Sequence, residues 1–259
     1  MNDYSMTEDI AGKTDPKTPQ REQRFSLLVD GYARDLFMTG MVLQRLGYNV
    51  YIVNTAEDAL TLMAAALPAL VLTELALPRM SGLELLVRIK KDPKTKTVPV
   101  IIHTASDDPS REGLCLASGC ASFLKKPVEP DSLYLAIQRA TEAAPRQYVR
   151  LKTLLPAMVG GRTASSGPQS TEYVSELSEN GIFVRTLTPR PLKSVLPVTI
   201  LIHSIPVKVK AVVLRCLTIS RGLFREPGMG MKFVEIASTD RELIRNFIKG
   251  QLIKDIPVQ

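Results

Sequence analysis

The sequence predicts two fold classes in series: an α/β domain with a doubly wound parallel sheet, then an all-β six-stranded barrel followed by one C-terminal helix. Three observations carry this. Between Phe25 and Ala143, five short apolar runs alternate with five runs of helical spacing, the pattern of a parallel sheet with crossover helices. Beyond Pro145 the helical period vanishes, and about six runs of strand length separated by Gly, Pro and Ser replace it, as in a small antiparallel barrel. Helical spacing returns only in the closing stretch STDRELIRNFIKGQLI.

In chain order, residues 1–22 are polar, rich in Thr, Asp, Lys and Pro, and are expected to form a flexible tail. FSLLVD is a strand ending in an acid; RDLFMTGMVLQRLG is a helix stopped by Gly47; NVYIVN is a strand. The alternation continues through AEDALTLMAAAL, ALVLTEL, SGLELLVRIKKD, VPVIIHTA, SREGLCLASG, ASFLKKP and PDSLYLAIQRATEA. The barrel strands are expected in RLKTLLPAMVG, TEYVSEL, GIFVRTL, LPVTILIHS, PVKVKAVVLRCLT and GMGMKFVEIA. The final helix is expected to be capped by Ser238 or Thr239, with acids in its first turn. The division is therefore 1–22, 23–143 and 144–259.

Composition narrows the chemistry. Cys115, Cys120 and Cys216 show no C-x-x-C spacing, so neither a disulfide framework nor a zinc site is indicated. His103 and His203 both lie inside apolar strand-like runs, which disfavours histidine-based catalysis and metal ligation. No apolar run is long enough to span a bilayer, and the first residues lack the apolar stretch of a signal peptide, so the expected location is the cytoplasm. Residues 1–143 carry 16 Lys+Arg against 18 Asp+Glu, a net of −2, whereas residues 144–259 carry 17 against 8, a net of +9. The basic excess of the second half points to an anionic partner there. Nucleic acid is disfavoured, because that half shows no recognition helix and few aromatics.

LLVDG, ALVLTELALPRMSGLELL, IIHTAS and SFLKKPVEPDSL, in this order and at this spacing, resemble the receiver domain of bacterial response regulators over about 120 residues. The resemblance implies a flavodoxin-like fold. It also implies a site with an acidic pair after the first strand holding Mg²⁺, a phosphoacceptor Asp at the end of the third, and a Thr/Ser and a Lys that read the phosphoryl group. Asp30 matches the first acid, Thr104 the hydroxyl, Lys126 the lysine before a proline, and Phe123 the aromatic. Two positions depart: Gly31 stands for the second acid and Glu74 for the phosphoacceptor. Mg²⁺ demands near-octahedral oxygen geometry, and a carboxylate moved by one methylene is out of line for attack. A receiver-like domain that neither binds Mg²⁺ well nor accepts a phosphoryl group is expected. Glu74 should instead form a fixed ion pair with Lys126, which either locks an active-like surface or fills the pocket.

The second half carries RQYVR and, further on, ELSENG. Together these resemble the PilZ domain, whose signature is Arg-x-x-x-Arg and then Asp/Asn-x-Ser-x-x-Gly on a barrel. The resemblance, over about 110 residues, implies binding of cyclic di-GMP by Arg146 and Arg150, with Glu176, Ser178 and Gly181 completing the site. Two phosphates and two purines suit arginine, which forks onto phosphate oxygens and stacks on aromatic faces. Glu176 replaces the family's Asp or Asn and lengthens that arm, while Gly181 allows a positive φ or a close backbone approach. Pro145 stands where many relatives have a further Arg, which favours one ligand molecule per site.

The expected protein is thus a non-enzymatic signalling effector. Cyclic di-GMP ordering the junction arginines would set the angle between the halves and the output to a downstream protein; the sequence leaves a homodimer open. Two rivals remain at this point: an interaction adaptor with both sites inactive, and a phosphorylation-driven regulator.

Overall fold

A computed structural model describes residues 25–160, 172–218 and 226–254. The expected tail at 1–22 lies outside them. The first half is a five-stranded parallel sheet in the order β2-β1-β3-β4-β5, formed by Phe25–Val29, Asn49–Val53, Leu70–Thr73, Val100–Thr104 and Ser122–Lys125 numbered along the chain. Helices α1 (Ala33–Arg45), α2 (Ala56–Ala65), α3 (Gly82–Lys91), α4 (Pro109–Ala117) and α5 (Pro130–Thr141) connect and follow the strands. Central β3 and β4 are buried at every residue, as parallel strands covered on both faces must be, whereas edge strand β2 is largely exposed. The apolar side chains separate into two cores. Leu27, Val71, Leu86 and Ile102 belong to one; Leu28, Leu72, Ile101 and Ile137 belong to the other, as the alternation of strand side chains requires.

Local chemistry places the helices. Ser81 accepts the Glu84 backbone N–H while the Glu84 carboxylate accepts the Ser81 N–H, a reciprocal cap that starts α3 directly beside the end of β3. Gly82 is required there, because a Cβ would lie 2.0 Å from the Glu74 carbonyl oxygen. Helix α5 stops at Thr141, two residues short of the expected run. Pro145 disfavours helix at the residue before it, and the chain is already extended at Glu142.

The second half is a closed barrel in the order β10-β11-β8-β7-β6-β9, from β6 (Leu151–Val159), β7 (Glu172–Ser178), β8 (Gly181–Arg185), β9 (Val195–Ile202), β10 (Ile205–Leu217) and β11 (Gly228–Ile236). Alternating Val207, Val209, Ala211 and Val213 of β10 face its interior with Val198, Ile200 and Ile202 of β9. The last helix, α6 (Ser238–Ile253), buries Ile244, Ile248 and Leu252 at helical spacing. Its N-cap is Ala237, not Ser238 or Thr239, and no side chain caps it. The helix begins one residue earlier than expected, which puts both hydroxyls inside the first turn, beyond the capping position. Asp240 does lie in that turn, and its carboxylate accepts the Lys208 N–H.

The two halves share a core. Leu46, from the end of α1, and Tyr134 of α5 are buried in the same apolar cluster as Val149, the barrel interior and α6. Polar ties flank it: Arg45 donates to the Leu252 carbonyl, and Lys249 pairs with Glu129 at 2.8 Å. The junction between α5 and Arg146 is four residues long.

Candidate functional site

Two polar sites stand on this frame. The first lies at the carboxyl ends of the parallel strands, where backbone N–H groups and loop side chains converge. Asp30 follows β1, Glu74 follows β3, Thr104 ends β4 and Lys126 follows β5. The Lys126 ammonium reaches Asp30 at 2.6 Å, Asp35 at 2.7 Å and Glu74 at 2.9 Å. Asp30 and Glu74 are each only 3% exposed. Burial opposes the Lys126 charge, but hydrogen bonds to these three carboxylates outweigh it and hold the ammonium well above the ordinary lysine range. Burial likewise works against an ionised Glu74, yet hydrogen bonds from Thr104 and Lys126 prevail and keep its carboxyl below the usual value. For Asp30 burial wins and the carboxyl is pushed up.

Glu74 is saturated. Its Oε1 accepts the N–H groups of Leu75 and Ala76, and its Oε2 accepts that of Ala105 as well as the ammonium. Thr104 Oγ1 accepts the Ser106 N–H, and Phe123 is half-buried against the core. The structure therefore gathers Asp30, Glu74, Thr104 and Lys126 and adds Asp35, which motif matching missed. Asp35 is five residues past Asp30 in the first turn of α1, and only the helix geometry turns it back to the lysine. His103, beside Thr104, is buried, and its Nε2 has no partner among the described residues; burial first, then the Lys126 cation, push its imidazole down to about 4.

The second site is a cleft of about 400 Å³ on the barrel, entered from the junction segment. Its floor is a cross-strand row. Glu176 on β7 pairs with Phe183 on β8, Phe183 with Gly230 on β11, and Gly230 with Arg215 on β10. The next row sets Ser178 against Gly181 and Gly181 against Lys232. Arg215 lies across Gly230, where a Cβ would meet its side chain at 2.9 Å, and its guanidinium sits 5.5 Å from the centre of the Phe183 ring. Gly181 serves close approach rather than positive φ: a Cβ there would stand 2.4 Å from the Met231 carbonyl oxygen. The Ser178 hydroxyl donates to the Gly181 carbonyl at 3.0 Å and closes the hairpin. At the hairpin tip, the Glu179 carbonyl and Asn180 Oδ1 accept from Arg241, and the Glu179 carboxylate pairs with Arg245, so α6 holds the turn.

Arg146 and Arg150 close the cleft from the junction side. Arg150 Nη1 meets the Glu176 carboxylate at 3.5 Å, a loose contact between half-exposed side chains. Burial, then the cations of Arg146 and Arg215, lower the Arg150 guanidinium's hold on its proton, and Glu176 opposes them. All five residues expected at this site thus line one cleft, joined by Arg215, Lys232 and Phe183. Those three carry no short-motif signal. Lys232 follows an alternation of polar with apolar residues along β11, but Arg215 has the parity of the buried valines of β10 and is turned outward by the bulge after Val213, which only strand register shows.

Among the described residues no helix is long and apolar enough to cross a membrane, and no group of His, Cys, Asp and Glu could hold a metal ion. The description "Response regulator receiver domain" matches residues 27–138 and "PilZ domain" residues 144–250. The chain belongs to the response-regulator receiver family, with a PilZ domain joined behind the receiver. A two-component response regulator of rice, ORR6, is 34% identical over 110 residues, 41% of this chain and 65% of the relative, so the chain spans about two thirds of that protein. An uncharacterised 14.6 kDa protein of Leptolyngbya boryana is 34% identical over 116 residues, 45% of this chain and 87% of the relative. A crystal structure of a putative response regulator from Chloroflexus aurantiacus aligns at 29% identity and a TM-score of 0.44, over 46% of this chain and 98% of that one. Receiver and PilZ domains are signalling domains rather than enzymatic ones.

Proposed function

We propose that this protein is a cytoplasmic, non-enzymatic effector that captures cyclic di-GMP in the barrel cleft and passes the event to its receiver half, the boundary falling between residues 143 and 144. The observation that carries the reading is the charge of the cleft: Arg146, Arg150, Arg215 and Lys232 line it with Glu176 as the single acid among the lining residues. Such a cluster of cations, one of them partly desolvated, is stabilised by a bound dianion. Arg146 and Arg150 fork onto phosphate, Glu176 and Ser178 meet a guanine edge, and Gly181 leaves room for the ring. One dinucleotide per site is expected. Calorimetry with cyclic di-GMP tests this: binding to the native chain and its loss in Arg150→Ala are expected, and absence of heat with the native chain removes the proposal.

In the receiver half, the residues do not fit Mg²⁺. Asp30, Asp35 and Glu74 are all engaged by the Lys126 ammonium, and an acid at position 31 would bring its Cβ within 3.0 Å of Pro78. The pocket holds its own cation, and the domain works without phosphorylation. Transmission then runs through the shared apolar core between α5, α6 and the barrel rather than through a loose joint. Ligand would tilt the halves by reordering residues 146–150, and small-angle scattering that stays unchanged on saturation counts against this step.

A further inference from the structure

Helix α5 has two buried faces. Leu133, Ala136 and Ile137 pack on the parallel sheet, whereas Tyr134 and Gln138, one turn apart, face the barrel side. An apolar interface would be served by two aliphatic residues at those positions, yet both carry polar groups. Gln138 is 0% exposed and Tyr134 2% exposed.

Their partners explain the choice. The Gln138 amide donates to the Tyr48 hydroxyl at 3.0 Å, and its Oε1 accepts the backbone N–H of Arg146 at 3.4 Å. One buried amide thus ties Tyr48, the residue before β2, to the first clamp arginine. The Tyr134 hydroxyl is sealed from solvent and has no hydrogen-bond partner among the described residues, a costly arrangement for a phenol. Its ring is buried in one apolar cluster with Val149 and Leu151, the two residues that flank the second arginine in the chain. Between them the two side chains hold the junction segment at Arg146 and on both sides of Arg150.

We infer that Tyr134 and Gln138 of the receiver half are positioning residues of the dinucleotide cleft, so that the ligand site is composite and the receiver half sets its affinity. This rests on the reading of the cleft as a cyclic di-GMP site. Gln138 fixes the backbone from which Arg146 projects. Tyr134 offers a hydroxyl oxygen that becomes an acceptor for an Arg150 N–H once the guanidinium leaves Glu176 for phosphate. Whatever shifts α5 therefore shifts both cations at once.

The experiment uses the full chain, with cyclic di-GMP as the titrant and thermal unfolding in parallel. Tyr134→Phe deletes a buried hydroxyl that has no partner in the free protein, so its melting temperature should hold or rise while affinity falls about two- to tenfold, the worth of one hydrogen bond. Gln138→Met should weaken binding by a similar factor. A merely structural role for Tyr134 would leave affinity untouched when stability is kept. In protein labelled with 3-fluorotyrosine, the resonance lost in Tyr134→Phe should move on ligand addition to the native chain and stay fixed in Arg150→Ala. Native binding with both variants at native affinity and an unmoved Tyr134 resonance overturns the inference and leaves the ligand reading standing. No binding by the native chain removes both. Should Gln138→Met fail to fold, Tyr134→Phe and the resonance decide the matter.

Discussion

Replacing Lys126 by Met tests the electrostatic account of the receiver pocket most directly. The ammonium satisfies three carboxylates within 2.9 Å, two of them 3% exposed, and its own side chain is 12% exposed. Methionine keeps the length and removes the charge, which leaves Asp30 and Glu74 buried without a counter-ion. Breaking a buried ion pair from one side costs about 3–5 kcal/mol, far more than the pair contributes over an apolar substitute. For a chain of this size that corresponds to a fall of about 6–20 °C in melting temperature. Urea unfolding at pH 7 measures it. Adding Glu74→Gln and Asp30→Asn to Lys126→Met should recover most of the loss, because the uncompensated charge is then gone. A loss below about 1 kcal/mol for Lys126→Met, the value of an exposed pair, would refute the claim that this lysine is the pocket's resident cation.

Other outcomes follow from the same geometry. The native chain should show no stoichiometric mass gain after incubation with acetyl phosphate and Mg²⁺, since Glu74 is fully hydrogen-bonded and its counter-cation is already in place; labelling at Glu74 sinks this reading. His103 takes up its proton only near pH 4 when folded but near its ordinary 6.5 when unfolded, so its share of stability is complete above pH 6.5 and declines as pH falls toward 4. Between pH 7 and 5 that share amounts to about 2 kcal/mol, read as the difference in slope between the native chain and His103→Leu. Gly181→Ala places a methyl 2.4 Å from the Met231 carbonyl oxygen and should cost about 1–3 kcal/mol and weaken cyclic di-GMP binding; an unperturbed variant would show that β8 and β11 separate freely there.

The strand and helix order was readable because each half has its own period, and the period switches at Pro145. The six barrel strands and the five strand–helix units fall where the apolar runs put them. Ends were less legible. Thr239 reads as a cap in isolation, but the helix start is decided by where β11 delivers the chain, and that placed Ala237 at the cap. Gly181 shows the same division: the sequence marks the position as needing glycine, and only the pairing with β11 shows that the need is space.

What the sequence determines by itself is local: alternation of period, the pairing of Arg146 with Arg150, and the substitutions at Gly31 and Glu74. These depend on residue type and short spacing, which a linear chain displays directly. Tertiary structure alone decides that Asp35 joins Asp30 and Glu74 around Lys126, that Arg215 and Lys232 share a cleft with Arg150, and that α5 of one half stands behind the clamp of the other. Each of those meetings joins elements distant along the chain or turned by helix geometry. Its energy comes from charges and apolar faces removed from water together, and a partner in such a meeting leaves no mark at its own position.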